Sequence, residues 1–326
     1  MSTAITIGDP AGIGPELALR ILNDPPTGMT PVLVGDWSLL QRVSATTGIP
    51  ANHPVLDLSS FTQKPPNTPA VLNIPLEGLD QLPPGLPTSL SGDAAYQWLT
   101  TAIDLTMAGT FDALVTCPLS KEAMNLAGHH YDGHTEILVE RTKASQHAMM
   151  LTSPEVTATL VTTHTSLASV PQKLTTERIL EVTRLTAEVI PRLYPEAPSK
   201  RNIAILGLNP HAGENGLFGE EEATLIEPAI ALLKKEGLPI IGPLPADTAF
   251  INSLRPTIAA HIAMYHDQGL IPLKTLSFDH AVNVTLGLPI VRTSPDHGTA
   301  YNLAWQGEAS DTSLRAACEI ALRLAQ

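Results

Sequence analysis

The sequence predicts an α/β protein on mainly parallel sheets, and three observations carry that prediction. Short apolar runs alternate with helical patterns along the whole chain, as βαβ units do. Polar residues gather where the apolar runs stop: Asp9, Asp36, Cys117, His164, Asn209 and His266 each stand just past one. Ligands of open α/β sheets bind outside the carboxyl ends of the strands. Finally, 326 residues with 43% hydrophobic content suggest two domains at roughly 150 residues each.

The elements follow in order. AITIGD (4–9) reads as a strand and GPELALRIL (14–22) as a helix, opened by Pro15 and Glu16. Between them, Gly12 and Gly14 suit either a plain strand–turn–helix or a backbone that approaches an anion with free N–H groups. The loop is neither GxGxxG nor a Walker sequence, so it specifies no nucleotide. PVLVGD (31–36) is the next strand. The proline-rich stretch 64–88 reads as an irregular connection with one short edge strand at Ala70–Ile74. A helix over 94–109 leads to a strand at 112–118. His129 and His130 fall in a loop, read as solvated. GHTE (133–136) places His134 and Thr135 ahead of the amphipathic TEILVERT, as ligand-binding groups or as a helix cap.

The second half continues the alternation. A strand over 156–164 ends at His164, a helix spans 175–190, and a strand over 202–210 runs into the glycine-rich NPHAGENGLFGEEE (209–222). That loop carries His211, with Asn209 and Glu214 as candidates to orient it. The helix it feeds, 220–235, opens on three acids and closes on Lys234–Lys235, matching the helix dipole. TIAAHIAMY (257–265) is a core strand in which His261 reads as a satisfied buried residue. It ends in His266, Asp267, Gln268 and Gly269, and a helix over 311–324 closes the chain.

Composition narrows the function. A formal charge of −13 without a basic patch argues against nucleic acid and anionic membranes. No apolar stretch approaches the ~20 residues of a membrane span. Two distant cysteines, Cys117 and Cys318, form no disulfide framework, and the N-terminus lacks the pattern of a secretory signal; a cytoplasmic protein is expected.

His164, His211 and His266 share one context: each follows an apolar run and begins a polar turn. Three imidazoles with an open position suit a catalytic divalent metal, zinc, cobalt or magnesium. Each alone also suits a hydrogen-bonded strand end, and no HExxH spacing supports the set. Lys274, eight residues past His266, with Asn283 and Arg292 in VNVTLGLPIVRTSPDHGTAYNLA (282–304), supplies cationic and polar groups able to hold phosphate or carboxylate. Asp247, in GPLPADT, and Asp267 are candidates for proton transfer or for orienting ligands; Asp247 also fits a helix N-cap.

GDPAGIGPE, GHTEIL, VTTH, GLNPHAGENG, GPLPADT, MYHDQGLIPLK and VNVTLGLPIVRTSPDHGTA occur in order over nearly the whole chain. Together they resemble the 4-hydroxythreonine-4-phosphate dehydrogenase family of pyridoxal phosphate biosynthesis. GDPAGIGPE and DHGTAYNLA are more distantly similar to GDGIGPE and HGSAPDIA of isopropylmalate and isocitrate dehydrogenases. The resemblance implies two α/β/α domains of isopropylmalate dehydrogenase type, 1–130 with 290–326 and 131–289, with the active-site cleft between domains and at a dimer interface. It implies a homodimer with metal ligands from both chains: His164, His211 and His266. Substrate would be bound by His134, Thr135, Lys274, Asn283 and Arg292, with Lys274, Asp247 and Asp267 as catalytic candidates.

The implied reaction is metal-dependent oxidation of 4-phosphohydroxy-L-threonine at its secondary alcohol by NAD or NADP. Decarboxylation to 3-amino-2-oxopropyl phosphate follows. Two segments depart from the commonest family pattern: Leu217–Phe218 stand where many members carry histidine, and VTTHTSLASV lacks the arginine or acid often found after the metal histidine. Relatives acting on four-carbon acid phosphates (4-phospho-D-threonate or 4-phospho-D-erythronate) or on an aromatic cis-dihydrodiol keep much of the same skeleton. From another class, a zinc hydrolase would use the same three histidines to activate water.

Overall fold

The computed structural model describes residues 1–59, 61, 65–196 and 201–326; Lys64, the first residue of the proline-rich stretch, lies outside them. The chain forms two compact units, Met1–Ser145 with Leu288–Gln326, and Gln146–Gly287.

Unit one begins with β1 (Ser2–Thr6), α1 (Gly14–Asn23), β2 (Thr30–Gly35), α2 (Trp37–Thr47), β3 (Val55–Asp57) and β4 (Ala70–Asn73). It continues with α3 (Ser89–Met107), β5 (Ala113–Thr116), α4 (Lys121–Leu126) and α5 (His134–Thr142). Unit two contains β6 (Ala148–Thr152), β7 (Thr157–Leu160), α6 (Val170–Lys173), α7 (Thr176–Leu193), β8 (Asn202–Leu206) and α8 (Glu227–Lys235). There follow β9 (Ile240–Leu244), β10 (Ile258–Ala263), α9 (His266–Ser277) and β11 (Val282–Leu286). The chain then returns to unit one as β12 (Val291–Pro295) and α10 (Thr312–Leu324).

The strands of unit one lie in the order β3-β4-β2-β1-β5-β12, parallel throughout. Unit two has the order β11-β6-β7-β10-β8-β9, parallel from β7 to β9 but antiparallel at β11–β6 and β6–β7. The predicted α/β class with mainly parallel sheets is therefore what forms.

Several boundaries differ from the sequence reading. The first compact unit runs to Ser145 rather than ending at 130, because α5 packs on α3. β4 is not an edge strand; β3, absent from the sequence reading, flanks it, with Leu56 level with Leu72. α3 starts at Ser89 rather than at 94, because Thr88 and Ser91 form a reciprocal capping box. A helix, α9, opens at His266 where a polar turn was expected, although Pro272 lies inside it.

The core of unit two shows how alternation places two helices. On β7, Ala158 and Leu160 join a buried cluster with Leu270 and Leu273 of α9, Ala263 and Leu206. Thr157 and Thr159 point to the other face. There Thr186 of α7 donates to the Thr159 hydroxyl (2.9 Å), and Tyr194 at the end of α7 hydrogen-bonds Thr157 (2.6 Å). The two helices thus cover opposite faces of the sheet. His261 is buried in β10, its ring nitrogens 3.2 Å from the carbonyls of Thr157 and Ala249.

Candidate active site

The imidazoles are brought together by backbone. Beyond the ends of β7 and β10 the two chains stay paired: Val161 N–H donates to the Ala263 carbonyl (2.9 Å) and Thr162 N–H to the Met264 carbonyl (3.2 Å), which also accepts from the Thr162 hydroxyl (2.7 Å). His164 and His266 follow within two residues on either side, and their ring centroids lie 5.8 Å apart. Imidazole nitrogens sit about 2.0–2.1 Å from a bound zinc, which sets two ligand rings roughly 5–6 Å apart between centroids. The pair therefore fits a shared divalent ion. The Nδ1 of His266 is engaged by Asp267 Oδ1 at 2.8 Å, which leaves Nε2 as the ring nitrogen open to a ligand. Asp267 also stands in the first turn of α9, where a carboxylate offsets the positive end of the helix dipole.

α9 reaches the sheet because Gly269 has no side chain. A Cβ there would stand 3.1 Å from carbons of Ala158, Ala263 and Leu160. Lys274 is on the same helix, about 12 Å along the axis from His266, with Nζ 5.9 Å from the Phe278 ring centroid.

His211 is presented differently. It opens a left-handed turn in which five successive residues, His211 to Asn215, have φ between 45° and 82°. Only Gly213 among them adopts that region without strain. The His211 ring lies 6.1 Å from that of Phe218. Among the described residues no three His, Cys, Asp or Glu side chains converge as a metal-holding group; the close pair is His164 with His266. Of the partners expected for His211, Asn209 is otherwise occupied, its Nδ2 donating to Glu221 (2.7 Å) and Glu222 (2.9 Å), and Glu214 is exposed in the same turn. Asp247 is exposed in the turn after β9, and the next helical element, a 3-10 turn at Arg255–Thr257, has Leu254 as its N-cap, so the N-cap alternative for Asp247 fails. Asn283 is half-buried on β11, and its Oδ1 is a buried acceptor that no protein donor satisfies.

In unit one the groups are buried or half-buried. Arg292, on β12, is 2% exposed and donates to the Thr116 hydroxyl at the end of β5 (2.8 Å). Burial pushes its guanidinium down to about 9. His134 and Thr135 open α5 as half-buried residues; neither caps the helix, because its N-cap is Gly133. Burial first, and then the nearby Arg292 cation, hold the His134 imidazole well below its ordinary range, against a hydrogen bond with the Cys117 backbone. A neutral imidazole beside a buried guanidinium is suited to an anionic group.

The packing of the GDPAGIGPE loop favours the plain strand–turn–helix reading. Its N–H groups are used internally: Ala11 on Asp9 Oδ1, Gly12 on the Asp9 carbonyl and Ile13 on the Thr299 carbonyl. Added Cβ atoms on Gly12 and Gly14 would meet Thr299 and Ile7 backbone oxygens at 2.9 and 2.2 Å. Asp9 is fully buried, and burial raises its pKa despite hydrogen bonds from Tyr301, Ala11 and Ser91. His129 is not merely solvated: it pairs with Asp93 at 2.9 Å and stacks on Tyr96. Thr116, Glu222, Gln268 and Gly269 support the site residues, and only Gln268 and Gly269, in the polar run after His266, stand out in the sequence. Glu222 stands in a run of three acids, where nothing local to the sequence distinguishes it from a surface residue.

The class of protein follows from relatives of known name. The chain shares its fold with the solved structure of 4-hydroxythreonine-4-phosphate dehydrogenase from Klebsiella pneumoniae, at a TM-score of 0.85, 39% identity and coverage of 100% of this chain and 99% of that one. A 4-hydroxythreonine-4-phosphate dehydrogenase of Trichlorobacter lovleyi is 45% identical, over 99% of this chain and 97% of the relative. A D-threonate 4-phosphate dehydrogenase of Pectobacterium atrosepticum is 38% identical, over 99% and 98%. This protein is an oxidoreductase acting on a CH–OH group, which sets the hydrolase alternative aside. The family description "Pyridoxal phosphate biosynthetic protein PdxA" matches residues 27–321, and the chain belongs to that family.

Proposed function

We propose that the protein oxidises 4-phosphohydroxy-L-threonine at its secondary alcohol with NAD or NADP, in a metal-dependent reaction that proceeds to 3-amino-2-oxopropyl phosphate by decarboxylation. The observation that carries the reading is the continued pairing of the β7 and β10 ends, which sets His164 and His266 5.8 Å apart. His211 would complete the ligand set, and Asp267 orients His266 through Nδ1. These imidazoles would hold a divalent ion, zinc, cobalt or magnesium, which would supply Lewis acidity. A nicotinamide cofactor supplies the hydride acceptor.

The remaining residues bind and orient. The buried Arg292 cation and neutral His134, with Thr135, suit one anionic end of the substrate, since fixed charges in a low dielectric act strongly. Lys274 and the unsatisfied Asn283 Oδ1 suit polar groups elsewhere on it. Asp247 and Asp267, both exposed, are the candidates for proton transfer. The reading includes a cytoplasmic homodimer. Both cysteines are buried and free, and no helix among the described residues is long and apolar enough to cross a membrane. Sedimentation analysis tests the dimer.

A second reading is favoured by the Pectobacterium atrosepticum relative, named D-threonate 4-phosphate dehydrogenase. One assay separates the two. Absorbance at 340 nm is followed with NAD or NADP after adding 4-phosphohydroxy-L-threonine, 4-phospho-D-threonate, 4-phospho-D-erythronate or an aromatic cis-dihydrodiol, with and without Zn²⁺, Co²⁺ or Mg²⁺. The first substrate should give the highest kcat/KM and lose its rate on chelation. A higher kcat/KM with another substrate reassigns the activity, and a rate indifferent to chelation removes the metal.

A further inference from the structure

Three consecutive residues, Gly207 to Asn209, lead from β8 to His211, and two buried side chains hold all three. Gln268, 8% exposed, donates Nε2 to the Gly207 carbonyl (2.7 Å) and accepts the Met264 N–H on Oε1 (2.7 Å). Glu222, 3% exposed in a π-helical turn ahead of α8, accepts the N–H groups of Leu208 (2.7 Å) and Asn209 (2.8 Å) on one oxygen and Asn209 Nδ2 (2.9 Å) on the other. The fit is close: a Cβ on Gly213 would lie 2.8 Å from Glu222 Oε2, and one on Gly207 3.2 Å from Oε1.

Gln268 lies in the same first turn of α9 as His266 and takes its second bond from Met264, at the end of the β10 run. It therefore ties the turn presenting His266 to the segment leading to His211. Glu222 fixes the far end of that segment, directly before the left-handed turn. Non-glycine residues in that region carry roughly 1–2 kcal/mol each, and such a run persists only where its surroundings over-determine it. A buried carboxylate is itself unfavourable unless its oxygens are hydrogen-bonded, and the donors of Glu222 come from one short segment.

We infer that Glu222 and Gln268 are positioning residues, a buried polar brace that sets His211 relative to His266 before any metal arrives. The inference rests on the reading of those histidines as metal ligands. Brace residues act on affinity through ligand placement, and partners of that kind contribute about 10–100-fold in metal affinity.

The test is a Co²⁺ titration of the full-length protein, read by the visible absorption of the bound ion, with thermal unfolding recorded alongside. Glu222→Leu and Gln268→Leu should weaken Co²⁺ binding about 10–100-fold, and Glu222→Gln, which keeps shape and part of the acceptor set, should recover part of the loss. Leu233→Ala, a fully buried core position in α8, should lose stability yet keep parental Co²⁺ affinity. Where a leucine variant fails to fold, Glu222→Gln and Gln268→Glu decide by the same criterion. Parental affinity in the brace variants, with loss in His211→Ala and His266→Ala, overturns the brace alone. An equal loss in Leu233→Ala also overturns it, since affinity would then track stability. Parental affinity in both histidine variants overturns the metal reading and the brace with it.

Discussion

The two units prepare their functional groups by different physics. In unit one, Arg292 is 2% exposed and His134 is half-buried, and the environment has already shifted both: the guanidinium down to about 9, the imidazole well below its ordinary range. In unit two, His164 and His211 are exposed and His266 half-buried, and backbone fixes their placement: two hydrogen bonds beyond β7 and β10, and a left-handed turn after β8. Burial tunes charge in the first unit, and chain geometry sets position in the second. Anion recognition gains from a low dielectric, whereas metal ligation needs angles and an open approach.

Removing a proposed metal ligand should produce the largest effect. His266→Ala is expected to lower kcat/KM at least about 10³-fold, the scale of losing the electrostatic stabilisation at a reacting oxygen, with circular dichroism unchanged. Parental turnover at saturating Co²⁺ would remove unit two from the chemistry. Arg292→Met comes next. A hydrogen bond to a charged group contributes about 1.5–3 kcal/mol, so KM should rise roughly 10–100-fold while Co²⁺ affinity stays parental. A fall in Co²⁺ affinity would mean the two functions are not separable by unit.

The same contrast explains what the sequence could show. The closeness of His164 and His266 could be suspected because a histidine just past an apolar run is visible without knowing the fold. That Arg292 is buried, and that Thr116 takes its hydrogen bond, depends on β12 lying beside β5, a pairing of residues far apart in the chain. The main parallel strands were legible from their continuous apolar runs. β6 and β11 were not: AMMLT and VNVTL are short, pair antiparallel and carry residues that also suit loops. The GDPAGIGPE loop left both readings open because glycines packed against protein backbone look the same in sequence as glycines opened to a ligand. The glycines marked a loop at His211 but not its left-handed path, since four of its six positive-φ residues, His211 to Gly216, are not glycine.

Glycine substitutions sharpen the contrast at smaller scale. Gly269→Ala would place a methyl 3.1 Å from Ala158, Ala263 and Leu160 carbons. Overpacking of this kind destabilises by about 1–3 kcal/mol, and because α9 carries His266, Co²⁺ affinity should fall as well. Gly12→Ala in unit one meets the Thr299 carbonyl at 2.9 Å; it should destabilise similarly, by urea unfolding, and leave Co²⁺ affinity alone. Two variants equal in stability and equal in metal binding would erase the distinction.

The smallest effect is a slope in pH, and it isolates the burial side of the comparison. The folded protein holds His134 below the unfolded value near 6.5. As pH falls through about 6.5, the unfolded chain takes up a proton that the folded chain refuses, so stability is full above that pH and declines below it, by at most about 1.4 kcal/mol per pH unit. His134→Asn should flatten the curve between pH 7 and 5.5 by about 1 kcal/mol in urea unfolding. His261, whose imidazole burial also holds below its ordinary value, contributes the same slope to both proteins and subtracts out. Arg292→Met should reduce the His134 contribution without abolishing it, because burial is the larger cause and the cation the smaller. If Arg292→Met instead removes the slope entirely, the cation rather than the low dielectric controls the imidazole, and unit one is organised by a charge pair.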